Sequence, residues 1–196
     1  MNDESESRIA RTQLRQRLLQ QRAGIDATTR RNHDAAIVER LHRNAVVQAS
    51  RVLALYWPIQ GEPDLAALVA PLRALGKRLA LPVVGGPNRG LLFCAWDADT
   101  ELVIGHYGIA NPRERIPLLP DGLVIPCVGF RLHAGRLYRL GFGAGYYDRT
   151  LAHRPVPSVG VGYDVAETAD FTPNPSDEPL SSMVTPSREI TSIASP

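Results

Sequence analysis

Apolar positions recur at helical spacing early in the chain and then collect into short runs. Residues 5–23 place Leu14 and Leu18 on one face among polar neighbours, which predicts a helix stopped by Gly24. Arg11 and Arg15 are four apart and share a helix face. Asp26 can cap a second helix running to the mid-40s. The pattern then changes. Residues 51–56 form a short apolar run, the mark of a buried strand, and the two prolines and glycine of residues 57–64 make a loop after it. Asp64 caps a helix to about Leu75 with Gly76 as its stop, and Pro71 should kink or divide it. Residues 78–82, 91–95, 123–128 and 156–163 read as further strands, with residues 85–90 as a loop. Helices alternating with short apolar runs predict an α/β fold of three layers, a mostly parallel sheet with helices on both faces. Such sheets hold ligands at the carboxyl ends of their strands, where the loop 57–64 falls.

Composition adds limits. A chain of 196 residues is expected to be one domain spanning 1–196, with polar ends, about 1–5 and 187–196, left disordered. The formal charge is only +2 and the arginines are spread along the chain, with Lys77 the single lysine. That balance suits an anionic small ligand and argues against nucleic acid. Cys94 and Cys127 lie in apolar runs and read as reduced core residues of a cytoplasmic protein. No zinc-ligand spacing, signal peptide or membrane-length apolar run is present in the sequence.

The densest chemistry lies in Arg139-Leu140-Gly141-Phe142-Gly143-Ala144-Gly145-Tyr146-Tyr147-Asp148-Arg149. Glycines at alternate positions let the backbone adopt positive φ and approach a ligand closely. The run to Leu151 has helical character, so bared amides at a helix start would make an anion site. Arg139 and Arg149 add positive charge from either flank. Asp148, one turn in, is placed to hold a cation beside phosphates, and the tyrosines offer rings to a flat ligand. An ordinary tight turn with two core tyrosines is the competing reading, because short glycine motifs often occur by chance.

The whole eleven-residue segment resembles the signature of the 5-formyltetrahydrofolate cyclo-ligase family, R-L-G-x-G-x-G-Y/F-Y-D-R. Four more stretches are similar to that family. Arg11-Thr12-Gln13-Leu14-Arg15 matches its K-x-x-L-R helix, with Arg11 in place of lysine. Gly61-Glu62 follows a strand, as does the family's folate-binding glutamate. Tyr107-Gly108-Ile109-Ala110-Asn111-Pro112 resembles its aromatic-x-I-x-x-P stretch. Asp177 matches a metal-linked aspartate near the end, with Ser176 and Ser181 as departures. Arg131 stands where members often carry aspartate, and Ala144, which tolerates positive φ poorly, replaces a usual glycine or lysine.

The resemblance implies a NagB/RpiA/CoA-transferase-like fold and an ATP- and Mg²⁺-dependent conversion of 5-formyltetrahydrofolate to 5,10-methenyltetrahydrofolate, with ADP and phosphate released. It implies that Arg11, Arg15, Arg139 and residues Leu140 to Tyr147 hold ATP. Arg15 and Arg139 stabilise the transferred phosphate. Trp57, Glu62, Tyr107 and Tyr146 meet the reduced folate, and Asp148 and Asp177 meet the metal. No side chain acts as nucleophile. The partners implied are these small molecules alone, for a monomer needing neither nucleic acid nor membrane. Two rivals remain open at this point: a relative that binds reduced folate or nucleotide without turnover, and an RNA-associated relative, which the near-neutral charge disfavours.

Overall fold

Five parallel strands form the centre of the protein, flanked on each side by one antiparallel strand. The computed structural model describes residues 3–86, 88–105 and 108–193, so His106 and Tyr107, the latter expected to face the folate, lie outside the described residues. The chain opens with α1 (Asp3–Ala23), α2 (Ala27–Arg43) and α3 (Ala45–Ala49), then β1 (Val52–Ala54) and α4 (Ala66–Ala74). Next come β2 (Arg78–Val84), β3 (Leu91–Ala95), β4 (Leu102–Ile104), β5 (Ala110–Pro112) and β6 (Gly122–Pro126). The hairpin β7 (Gly129–His133) and β8 (Arg136–Leu140) leads to α5 (Tyr146–His153), β9 (Ser158–Val161), β10 (Ser182–Val184) and β11 (Glu189–Thr191). The main sheet has the order β11-β10-β9-β6-β1-β2-β3. Its inner pairs are parallel, and only β2–β3 and β10–β11 are antiparallel.

Alternation along the strands sorts the core into two layers. Leu53, Leu55, Leu79, Val124, Val159 and Val184 pack with Ile37 and Leu41 of α2, Val46 and Val47 of α3, and Leu68 and Leu72 of α4. Ala54, Ala80, Leu123, Ile125 and Met183 point to the other side, against Leu151 of α5 and Phe130 and Leu137 of the hairpin. Parallel strands buried on both faces lack the clean alternation of a half-exposed sheet, which is why they read as continuous apolar runs in the sequence. The helix α1 is docked separately: Leu14 and Leu18 pack on Val128, Leu140 and Phe171.

Local chemistry explains several boundaries. Asp26 caps α2 by accepting from the amides of Thr28 and Thr29 at 2.9 and 3.0 Å. Asn44 starts α3 in the same way, accepting from Val46 and Val47. The expected kink or break at Pro71 does not divide α4, which runs through it as one element. Pro71 sits one turn from the helix end, so it forfeits a single hydrogen bond, while fully buried Leu68 and Leu72 hold the turn in place.

The expectation of a disordered end from 187 onward is corrected by β11. Asn44 Nδ2 donates to Glu189 Oε1 at 2.8 Å and to Ser182 Oγ at 3.0 Å. Ser192 Oγ donates to the Leu180 carbonyl, and the amide of Ile193 donates to the Gly135 carbonyl at 2.8 Å. The segment is mostly polar because it is held by bonds across the sheet edge, with Ile190 alone of β11 packed on the core.

Candidate active site

The chain runs from β1 to β2 on one side, while β6 pairs β1 on the other and leads away to β9 and β10. This reversal of direction opens a crevice at the carboxyl ends of β1 and β6, the place where open α/β sheets take ligands. A cleft of about 1470 Å³ lies there, larger than the roughly 300–1,000 Å³ of an ordinary one-ligand pocket. Its walls are the loop after β1, the glycine loop after β8, the face of α1 bearing Arg11 and Arg15, and residues 172–177.

Every glycine of the central loop abuts an arginine. A Cβ on Gly141 would lie 2.5 Å from Arg139 Nη1, one on Gly143 would lie 3.3 Å from Arg15 Cζ, and one on Gly145 would lie 2.7 Å from Arg149 Nη1. Gly143 and Gly145 also carry positive φ, +104° and +67°. Ala144 does not, so the distortion expected from alanine at that position is absent. The glycines therefore serve the arginines as much as the ligand. Arg15 Nε donates to the Gly141 carbonyl at 2.8 Å, and Arg149 Nη2 donates to that of Ala144 at 2.7 Å.

Two ion pairs hold the carboxylates expected to meet a metal. Arg11 Nη2 donates to Asp177 Oδ2 at 2.8 Å. Arg139 Nη2 lies 2.9 Å from Asp148 Oδ2, close enough for an ion pair but outside hydrogen-bond geometry. The amide of Glu178 approaches Asp148 Oδ1 at 3.5 Å, so the two aspartates belong to one corner of the cleft. Arg11 is 9% exposed and Arg139 5%, yet Arg11 Nη1 and Arg139 Nε and Nη2 are buried with no hydrogen-bond partner. Buried donors without partners are rare and costly. Burial, and then the charge of Arg11, hold the Arg15 guanidinium below its ordinary value, with Asp177 pulling it back. Phe171 lies under Arg11, and Tyr147 and Tyr146 lie under Arg139 and Arg149, with cation-to-ring distances of 5.1–5.4 Å.

In the same cleft, after β1, Glu62 is only 5% exposed. Its Oε2 accepts from the amide of Ile59 at 2.9 Å. Burial raises its carboxyl from the ordinary 4.5 to about 7, against the pull of the Ile59 amide and of Arg22. Trp57 stands beside it, edge-on to Trp96 at 6.3 Å. Tyr56 is pinned by a 2.8 Å hydrogen bond to the Pro63 carbonyl.

Of the residues expected at the site, Arg11, Arg15, Trp57, Glu62, Arg139, Asp148, Asp177 and residues Gly141 to Tyr147 line the cleft. Leu140 does not line it; it is fully buried and packs on α1, holding the loop from below. Arg131, where relatives often have aspartate, turns away and donates to the carbonyls of Ala169 and Phe171. Thr172, Asn174 and Pro175 also line the cleft and were not foreseen. Their only sequence signal is a Pro-Asn-Pro turn, which names no chemistry by itself.

Comparison with known proteins gives the same picture over most of the chain. The sequence profile of the 5-formyltetrahydrofolate cyclo-ligase family matches residues 7–186. The 5-formyltetrahydrofolate cyclo-ligase of Escherichia coli K12 is 34% identical over 151 residues, covering 72% of this chain and 81% of the relative. That of Mycolicibacterium smegmatis is 29% identical over 196 residues, covering 94% and 97%. The solved 5,10-methenyltetrahydrofolate synthetase of Aquifex aeolicus superposes with a TM-score of 0.80 at 30% identity, covering 95% of this chain and 94% of that one. The Mycoplasma pneumoniae synthetase does so with a TM-score of 0.70 at 26% identity, covering 90% and 98%. With that match laid over a cleft that holds buried guanidinium nitrogens without hydrogen bonds and one buried glutamate, the chain belongs to the 5-formyltetrahydrofolate cyclo-ligase family and is an enzyme of it.

Proposed function

We propose that the cleft performs the cyclo-ligase reaction with ATP at its arginine end and 5-formyltetrahydrofolate at its Glu62 end. The formamide oxygen attacks the γ-phosphorus of ATP and ADP leaves. The folate N10 then attacks the formyl carbon, its proton passes to water or phosphate, and the C–O bond breaks to release phosphate. The product is 5,10-methenyltetrahydrofolate. Phosphoryl transfer needs positioning and charge stabilisation more than covalent help from the protein, which agrees with a cleft that presents arginines and amides and no activated nucleophile.

The observation that carries this reading is the set of buried guanidinium nitrogens on Arg11 and Arg139 that make no hydrogen bond. Phosphate oxygens would complete them. Arg15, fixed on Gly141, is placed to meet charge developing on the transferred group. Asp148 and Asp177 suit a hard divalent cation arriving with the nucleotide, since Mg²⁺ is commonly held by one or two carboxylates plus phosphates and water. No group of three or more metal-ligating side chains occurs among the described residues, which fits a cation shared with the substrate. Such a cation supplies neutralisation of phosphate charge. The present Arg11–Asp177 and Arg139–Asp148 pairs would then exchange partners, the arginines turning to phosphate and the carboxylates to the cation. Glu62 would accept from the pterin ring N–H groups, with Trp57 and Tyr146 against its faces.

The reading extends to a monomer of NagB/RpiA/CoA-transferase-like fold working in the cytoplasm without nucleic acid. No helix among the described residues is long and apolar enough to cross a membrane. The test is turnover: purified protein with 5-formyltetrahydrofolate, ATP and Mg²⁺, read by methenyl-folate absorbance and phosphate release together. Folate and ATP binding without either signal would assign the chain to a binding role instead.

A further inference from the structure

Arg22, in the last turn of α1, is a second cation near the folate end that the reaction scheme leaves unused. It is 4% exposed, and none of its three guanidinium nitrogens has a hydrogen-bond partner. A buried charge without partners is costly unless something nearby compensates it. Part of the compensation is local. The guanidinium carbon stands 5.8 Å from the centroid of the Phe142 ring, and the carbonyls ending its own helix add negative potential. The rest comes from Glu62. Burial lowers the Arg22 guanidinium, Glu62, then Tyr163 and Tyr56, oppose that effect, and the charge of Arg30 adds a smaller lowering. The two side chains form no ion pair, so their charges act across packed interior.

A separate clamp keeps them at that separation. Arg30 Nη1 donates to the Gly61 carbonyl at 2.7 Å, and its Nη2 donates to the Arg22 carbonyl at 3.0 Å. One guanidinium thus joins the loop residue before Glu62 to the helix residue that bears the buried cation. Gly61 is required there: its φ is +75°, and a Cβ would lie 2.6 Å from Arg30 Nη1. The groups facing Glu62 are Arg22 from α1, Tyr56 after β1, Cys127 after β6 and Tyr147 from α5. Burial pushes the Cys127 thiol up to about 12 and raises both tyrosines, so these three stay neutral. Arg22 is the charged member of the set.

We propose that Arg22 is the positioning residue for Glu62, a dry cation that keeps the carboxylate ionised when folate seals the cleft over it. This rests on Glu62 as the pterin acceptor. Folate entry removes the remaining water and drives the carboxyl further toward its neutral form, which has lost part of its accepting capacity. The fixed charge behind it opposes that drift. Because Phe142 belongs to the glycine loop, the same cation also touches the nucleotide half of the cleft.

The experiment is folate affinity against pH for the wild type, Arg22→Met, Arg22→Lys, Glu62→Gln and the double variant Arg22→Met/Glu62→Gln. Wild-type affinity should fall as pH drops through about 7, where Glu62 takes up its proton. Arg22→Met should move that limb to higher pH and weaken binding about fivefold at pH 7, where a rise of roughly one unit in the carboxyl pKa cuts the ionised fraction from about one half to about one eleventh. It should melt no lower than wild type, since an apolar side chain replaces an unpartnered charge. Arg22→Lys should restore the wild-type limb. In the Glu62→Gln background the methionine change should have no further effect on folate. An unmoved limb in Arg22→Met, a loss independent of pH, or an additional loss in the double variant would overturn the proposal. Should Arg22→Met not fold, Arg22→Gln, neutral and polar, takes its place: a limb moved to higher pH supports the proposal and an unmoved limb overturns it. A wild-type folate limb that survives in Glu62→Gln would instead remove the reading of Glu62 beneath it.

Discussion

Replacing Glu62 with glutamine should make the ligand-free protein more stable and its folate binding worse. The buried carboxyl titrates at about 7 in the folded chain, against 4.5 when exposed. Between those values the folded state holds a proton that the unfolded state has released. Stability therefore falls as pH rises from 4.5 through 7, and the loss is complete above the folded value. At roughly 1.4 kcal/mol per pH unit the gap amounts to about 3 kcal/mol. Glutamine carries no charge to desolvate, and its carbonyl can still accept from the Ile59 amide. Glu62→Gln should thus gain about 3 kcal/mol at pH 8 and nothing at pH 4, where both proteins are neutral at this position. For a chain of this length that is roughly 6–10 °C in melting temperature at pH 8. Thermal melts without ligand at the two pH values measure it. A lower melting temperature for Glu62→Gln at pH 8, or an equal shift at both values, would refute the reasoning. Isothermal calorimetry supplies the other half: folate binding should weaken by about 1.5–3 kcal/mol, the worth of a hydrogen bond to a charged group, while ATP binding stays unchanged.

Three further outcomes are expected at the nucleotide end. Asp148→Asn, nearly isosteric, should fold normally but lose most Mg²⁺-ATP turnover, and wild-type rates at limiting Mg²⁺ would remove Asp148 from the cation site. Arg15→Ala should raise the Michaelis constant for ATP and lower kcat together, because charge develops on the transferred phosphoryl group; Arg11→Lys should be tolerated better than Arg11→Ala, and steady-state kinetics on all three would return α1 to a structural role if each matched wild type. Gly143→Ala should cost about 1–3 kcal/mol for a side chain at positive φ and displace Arg15, so ATP affinity should fall alongside melting temperature. An Arg15→Ala/Gly143→Ala double variant no worse in ATP affinity than Arg15→Ala would show that the displacement acts through Arg15.

The parts legible in the sequence were those whose chemistry is contiguous. Three glycines, two tyrosines, an aspartate and two arginines within eleven residues mark a candidate site wherever the chain places them, and all but Leu140 of the segment line the cleft. The parallel strands were legible as well, because burial on both faces turns each into an apolar run. What escaped depends on contacts between distant segments. β11 is three residues long with two of them polar, and it exists because β10 pairs with it and Asn44 bonds its Glu189. Ala144 looked like a strained position, but the loop assigns positive φ to its neighbours Gly143 and Gly145. Leu140 matched the ATP-binding signature and is a core residue beneath it. Arg22 carried no signal at all, since a lone arginine at a helix end is ordinarily exposed. Its meaning arises from the clamp that brings Gly61 against the end of α1.

The docking of α1 has a consequence for how this protein comes to exist as an active molecule. The hydrogen bond from Arg11 to Asp177 spans 166 residues, and Arg15 reaches Gly141 across 126. Contacts that close such long loops form late, since their entropic cost must be met before they return anything. A growing chain can therefore assemble β1, β2 and α4 early, while the nucleotide corner waits for the segment after β9. Until then the first helix holds its arginines without a counterpart. A fragment ending before residue 177 would keep most of the sheet and lack the corner proposed to handle phosphate, so on that reading truncated products would be inert toward ATP rather than partly active.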